Sequence, residues 1–357
     1  MFVAAKAVAV AALLAGREFN FTPLHPWNYL AYTDKEAGAW LAFINWDAQH
    51  YLKLAIGGYP VPADPSTAFY PLFPALIALG MKLGLAPIAA GLAVVSVASA
   101  LAFILFFRLV PERATGALWL FAACPSAFFL SVVYSEALFI AALLGLFWAL
   151  RDARRAGLAL VCAALLPLTR GQGLWLALPL VLAWIFPGAL PRRGLAFASL
   201  GYALGVGAYL AFFGWRYGDP FAGLSAQKVF VFNNAIPNIF DLPRFADFLL
   251  RPPSRFLDTT NSGLDKLMIL VSLGALAYGI RRSPDVFFAV AWAAFALLPA
   301  MMGEGGSYAR HALLAWTCFA LAAGPALRTW VLATLVAAGF GLQVYLAYAF
   351  GGNRWVG

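Results

Sequence analysis

The chain has 357 residues, 63% of them hydrophobic and only 11% charged, with a mean hydropathy of +0.82. Soluble chains carry about 25% charged residues, so a soluble globular protein is excluded. The apolar runs show no period-two alternation, which excludes a membrane barrel. The net charge of +9 comes largely from arginines at the ends of apolar runs, where they orient helices, and does not point to nucleic acid.

In chain order, apolar segments at 2–16, 70–84, 87–107, 114–130, 134–150, 157–169, 173–187, 195–215, 264–280, 284–302, 308–323 and 326–350 are candidate spans. A crossing takes roughly 20 residues, so the expected fold is an all-α polytopic bundle of about 11–12 spans in a single domain over residues 1–357. Residues 1–15, with Lys6, resemble a signal-peptide core but read as a retained first span, since the rest of the chain is apolar too. Cys124, Cys162 and Cys318 lie inside apolar segments and form no metal-binding or disulfide spacing.

The polar intervals are of two kinds. Short basic turns hold Arg108/Arg113, Arg151/Arg154/Arg155, Arg192/Arg193, Arg281/Arg282 and Arg328. Longer aromatic intervals occupy 17–69, 125–135, 169–172, 216–262 and 303–311. The positive-inside rule sends the first kind to the cytoplasm and the second outside. Between Tyr70 and Arg108 the alternation fails: either 70–84 is re-entrant or broken, or the 108–113 turn breaks the rule.

The first long interval is the most informative. Asn45-Trp46-Asp47-Ala48-Gln49-His50-Tyr51-Leu52-Lys53 concentrates polar groups in an apolar chain. Ionisable groups in such surroundings are costly and mark working sites. Residues 45–57 read as an interfacial helix, capped by Asn45 and stopped by Gly57-Gly58. On it Asp47, His50, Tyr51 and Leu54 share one face, with Trp46, Gln49 and Lys53 beside them.

Several segments carry a family resemblance. Trp46-Asp47-x-x-His50-Tyr51-Leu52 with Gly58-Tyr59, then Ala68-Phe69-Tyr70-Pro71, resembles the PIG-V family of mannosyltransferases, within the GT-C superfamily of polytopic glycosyltransferases. Tyr134-Ser135-Glu136 is similar to the family's Tyr-Ser-Glu segment. Thr169-Arg170-x-Gln172-Gly173 is similar to its Arg-Asn-Gly segment, with Gln172 replacing the amide residue. Tyr217-Gly218-Asp219-Pro220 with Ala226-Gln227 resembles its Gly-Asp-Pro…Gln segment, and Tyr308-Ala309-Arg310-His311 stands near its late Arg-Tyr motif, with the Tyr displaced. The resemblance covers about residues 45–311.

It implies a polyprenyl- or dolichyl-phosphate sugar donor, with mannose the expected sugar. It also implies a hydroxyl acceptor (glycolipid, glycan or protein) and a catalytic acid in the first exterior loop. The short, arginine- and alanine-rich chain looks prokaryotic, so a bacterial plasma membrane with an outward-facing site is expected. Asp47 is then the candidate catalytic base, with helix-dipole neutralisation as the alternative. Near a helix start its charge is favoured and its basicity lowered, while desolvation acts the other way. Arg310, Arg170 and Lys228 are candidate phosphate ligands, because paired N–H donors match phosphate oxygens. Trp46, Gln49, His50, Tyr51, Tyr70, Tyr134, Glu136, Gln172 and Gln227 are candidate substrate contacts. Glu136 either meets sugar hydroxyls or pairs with Arg170 or Arg310. No cofactor is required; a divalent metal stays open, but Asp47 and His50 alone are too few ligands. The absence of Walker and Gly-x-Gly-x-x-Gly motifs argues against a nucleotide-sugar donor. The alternatives are a polytopic transporter or lipid flippase, for which midplane charges and internal repeats are expected but not seen, and a non-catalytic scaffold.

Overall fold

The computed structural model describes residues 1–23, 30–110, 115–186, 188–229, 236–282, 285–303, 307–323 and 327–356. Among them the regular structure is helical, with one isolated bridge between Arg255 and Ser262. In chain order the helices are α1 (Phe2–Phe19), α2 (Asp34–Ala37), α3 (Asp47–Gly57), α4 (Leu72–Lys82), α5 (Pro87–Leu109) and α6 (Thr115–Ala122). There follow α7 (Glu136–Ala149), α8 (Ala156–Thr169), α9 (Ala177–Ile185), α10 (Arg192–Tyr217) and α11 (Ala222–Ala226). The last are α12 (Leu242–Leu250), α13 (Gly263–Ile280), α14 (Val286–Met302), α15 (Tyr308–Ala323) and α16 (Thr329–Gly351).

Among the described residues, four helices are long and apolar enough to cross a bilayer: α5, α10, α13 and α16. A fifth crossing arises if the 3-10 turn Pro125–Ser131 and α7, bent by 103° at their junction, count as one. The other apolar segments form shorter helices, so the expected dozen spans appear as a mixture of full-length, short and broken ones. The run 114–130 is one such break. Pro125 has no N–H to continue a helix, and the chain leaves α6 at Ala122 for the 3-10 turn.

In the stretch before Arg108 the segment expected at 70–84 forms α4, a helix too short to cross. At 1.5 Å per residue, α4 is only about 16 Å long, half the roughly 30 Å of a hydrocarbon core. The chain turns at Gly84, whose φ of +93° suits glycine. It then enters α5, where Gly91 lies against Val133. At the far end of α5, the Arg151 guanidinium donates to the Leu109 carbonyl at 2.8 Å. Arg108 and the Arg151–Arg155 turn therefore share one end of the bundle. At that end too, the Ala189 amide donates to Asp285 at 2.9 Å, joining the segments around Arg192 and Arg281.

Small residues let the helices approach closely. Gly201 and Gly205 of α10, four apart, lie on the backbone of α8 at Leu160 and Ala164. This is the small-x-x-x-small pattern of membrane helix pairs. Gly16 of α1 and Gly351 of α16 do the same reciprocally, at Tyr348 and Leu13. The second pair brings the C-terminal segment to the end of the bundle opposite the basic turns. There the long aromatic intervals meet.

Candidate active site

A cavity of about 180 Å³ opens at that end. Its wall takes Asp47 and Tyr51 from α3, Tyr70 before α4, Arg170 and Gln172 from the turn after α8, and Gln227 after α11. Pro299 and Met302 come from the end of α14, Ser307, Arg310 and His311 from the start of α15, and Trp355 from the C-terminal segment. Seven stretches of the sequence are thus brought to one place by helix ends.

α3 begins one residue later than its sequence suggests. Its N-cap is Trp46, at φ +56° and ψ −118°. A tryptophan in that region is strained, and such strain persists only where the surroundings hold it. Tyr134 does so: its hydroxyl donates to the Asn45 carbonyl and accepts from the Asp47 amide, each at 3.2 Å. Asn45 is not the cap; its side-chain amide donates to Phe350 of α16 at 2.7 Å. Gly58, at φ +74°, ends the helix as expected. The helix is also embedded more deeply than a surface position requires: Ala48, Gln49, Leu52 and Leu54 are buried.

Asp47 forms an ion pair with Arg310, and each side chain keeps 17% exposure toward the cavity. Burial raises the carboxyl pKa, but Arg310, with lesser help from His50 and Arg170, outweighs it and holds Asp47 below its ordinary range. The pairing with Arg310 thus favours the ionised form of Asp47. Arg170 pairs with Glu136 at 2.6 Å, with side chains 10% and 5% exposed. It also donates to Ser135 at 3.1 Å and to Gln172 Oε1 at 2.8 Å. Ser135 in turn bonds the Tyr51 hydroxyl at 2.7 Å. Two arginines and two carboxylates leave this cluster with no formal net charge.

The start of α15 is braced from two sides. The Ala309 amide donates to Asp265 of α13 at 2.8 Å, and Ser126 donates to the Ala309 carbonyl. Arg310 and His311 project from this turn. In the sequence His311 stood only beside Arg310 in a motif, and Asp265, Ser126 and Trp355 had no assigned role. The visible signal was Asp265-Lys266 inside an apolar run, where an acid needs a partner.

Of the residues expected at the site, Asp47, Tyr51, Tyr70, Gln172, Gln227, Arg170 and Arg310 line the cavity. Five lie near it without lining it, and one stands clear. Trp46 packs edge-on against Trp355 at 4.8 Å. Gln49 is buried and accepts the Ala31 and Tyr32 amides, both at 3.0 Å. His50 turns to Ser66 at 2.9 Å and stacks on Phe69 at 4.5 Å. Burial, with Lys53 nearby, lowers its pKa to about 4 despite Asp47 and Asp64. Tyr134 braces the backbone, Glu136 holds Arg170, and Lys228 is exposed. Lys53 pairs with Asp64, which caps the 3-10 turn leading to Phe69 and Tyr70. Asp219 accepts the Phe221 amide at 2.9 Å in the turn that follows α10. The glycine-rich run before Ser307 lies partly outside the described residues at 304–306, as does Arg113.

No group of three His, Cys, Asp or Glu side chains among the described residues is placed to hold a metal ion.

The family model described as Mannosyltransferase (PIG-V) matches residues 31–183. No curated protein matches the chain. The matched stretch contains Asp47, Tyr51, Tyr70, Arg170 and Gln172. Gln227, Arg310, His311 and Trp355 complete the cavity from beyond it. The match to that family over residues 31–183, less than half of the chain, together with the membrane-length apolar helices among the described residues, supports a multi-pass membrane glycosyltransferase.

Proposed function

We propose that the protein transfers a sugar, mannose by family, from a polyprenyl-phosphate donor to an acceptor hydroxyl at the outer face of a bacterial plasma membrane, with inversion at the anomeric carbon. The observation that carries this reading is the Asp47–Arg310 pair on the cavity wall. It joins a carboxylate suited to accept a proton with a guanidinium suited to a phosphate oxygen. At about 180 Å³ the cavity is smaller than the roughly 300–1,000 Å³ of pockets for drug-sized ligands. That suits one sugar, with the lipid tail left in the bilayer.

The pair also explains how an anion held below its ordinary pKa serves as a base. A phosphodiester competes with Asp47 for Arg310. As Arg310 turns to the phosphate, Asp47 loses the partner that lowers its pKa, and burial, which raises it, becomes dominant. Asp47 then takes the acceptor's hydroxyl proton. The acceptor oxygen bonds to the anomeric carbon from the face opposite the phosphate, and the carbon–phosphate oxygen bond breaks. The polyprenyl phosphate leaves with the electron pair and a second negative charge beside Arg310. Donor binding thus activates the base.

The test is transfer from a radiolabelled polyprenyl-phosphate mannose by the purified protein to lipid and glycan extracts. Labelled product with inverted configuration is expected from the wild type and not from Asp47→Asn. Equal transfer by Asp47→Asn, or no transfer from any polyprenyl-phosphate sugar, overturns the reading.

A further inference from the structure

Gln172 admits one self-consistent arrangement of protons. The Arg170 Nε can only donate, so the Gln172 atom it meets at 2.8 Å is the amide oxygen. The other end of the amide is an NH2 group, which can only donate. It has two acceptors: the Phe295 carbonyl at 3.3 Å and Nδ1 of His311 at 2.9 Å. Nδ1 of His311 therefore accepts and carries no proton, and the ring proton sits on Nε2. An imidazolium would set N–H against N–H across 2.9 Å. Glu136 anchors the guanidinium that starts the chain. The relay runs from α7 through the turn after α8 to α15, and its last member lines the cavity beside Arg310.

The cluster's cationic charge is already matched, Arg310 by Asp47 and Arg170 by Glu136. A neutral N–H with a fixed tautomer is a different kind of donor. It binds an anion without needing to be released from a carboxylate first. Its hydrogen bond strengthens as negative charge grows on the acceptor, which is how a preorganised donor favours a transition state.

We propose that His311 contacts the substrate: its Nε2–H donates to a phosphate oxygen of the lipid-linked donor, and Glu136, Arg170 and Gln172 are positioning residues that hold it in that tautomer. The proposal rests on the reading of the donor as a lipid phosphate. His311 stabilises the second negative charge that appears when the sugar–phosphate bond breaks, while Arg310 exchanges between Asp47 and phosphate.

The experiment uses the full chain in nanodiscs with 15N-labelled histidine; the chain has three histidines. His311 is assigned by the signal lost in His311→Gln. In the wild type a protonated Nε2 and an unprotonated Nδ1 are expected. Gln172→Glu replaces the NH2 with an oxygen that accepts, so Nδ1 should gain a proton. Adding undecaprenyl phosphate should shift the Nε2 resonance. Transfer should fall on the order of 100-fold in His311→Leu, and less in His311→Gln, which restores an N–H. The loss should fall on kcat more than on KM. A wild-type ring protonated on Nδ1 overturns the proposal. So does undecaprenyl phosphate that binds by native mass spectrometry but leaves Nε2 unmoved; that result leaves the donor reading standing. Failure of the wild type to bind undecaprenyl phosphate at all removes the donor reading and this proposal with it. Where His311→Gln does not fold, the His311 signal is assigned as the one left in the His25→Gln/His50→Gln double variant, and the wild-type titration decides the question.

Discussion

The Asp47–Arg310 and Glu136–Arg170 pairs join the same two side-chain types, yet they stand differently to the cavity. Asp47 and Arg310 both line it, each 17% exposed. Of the second pair only Arg170 lines it, and Glu136 keeps 5% exposure behind it. The first pair opens toward a ligand. The second is tied down by Ser135 and Gln172. A buried pair is weak evidence of stability in itself, because the desolvation of two charges offsets much of their attraction. What distinguishes the pairs is what the arginine touches besides its carboxylate.

The largest effect expected from this comparison is on chemistry. Asp47→Asn keeps the volume and removes the proton acceptor, so initial rates should fall by about 10²–10⁴-fold, the usual worth of a general base. The melting temperature should change far less than the rate. A stable Asn variant with unaltered rates would make the two pairs equivalent.

Next comes stability. Glu136→Gln leaves a buried guanidinium short of its counter-charge. Breaking such a pair costs roughly 3–5 kcal/mol. Thermal unfolding in detergent should show a clear drop in Glu136→Gln and in Arg170→Met. The double variant should be less destabilised than the sum of the two singles, since removing both partners leaves no orphan charge. Additive losses would show that the pair is not a unit.

A third prediction separates the groups on α3 by pH. The pKa of Asp47 is below its ordinary value, so its pairing contributes fully at and above about pH 4 and is lost only as pH falls further. His50 is lowered from 6.5 to about 4. The unfolded chain takes up that proton first, so stability is lost as pH falls from 6.5 toward 4. Melting temperature against pH should decline over that window in the wild type and decline less in His50→Gln. An unchanged slope in the variant would detach His50 from the acid response.

The smallest effect is expected at Lys228, exposed and away from the cavity wall. Lys228→Ala should leave transfer within about twofold, since surface changes usually stay within ±0.5 kcal/mol. A large rise in donor KM would bring Lys228 into phosphate binding and widen the site beyond the two pairs.

Sequence periodicity and composition located the helices closely, because a bilayer leaves the backbone little choice but to satisfy itself within helices. α8, expected at 157–169, occupies Ala156–Thr169, and α15, expected at 308–323, occupies Tyr308–Ala323. Asp47 stood out because charges in apolar surroundings are costly, while Arg170 and Arg310 were named from the family resemblance and the match of a guanidinium to phosphate oxygens. What lay out of reach was partnership. Nothing local says that Arg310 meets Asp47, 263 positions away, or that Trp355 closes the cavity against Trp46. Nor does a local pattern turn His50 toward Ser66 while His311 faces the cavity. Helix ends decide this, and the packing of small residues such as Gly16, Gly201, Gly205 and Gly351 sets where those ends fall. The sequence alone determined which groups are present and that each must find a partner. The tertiary structure decided which partner, because contact distance in space is independent of separation along the chain.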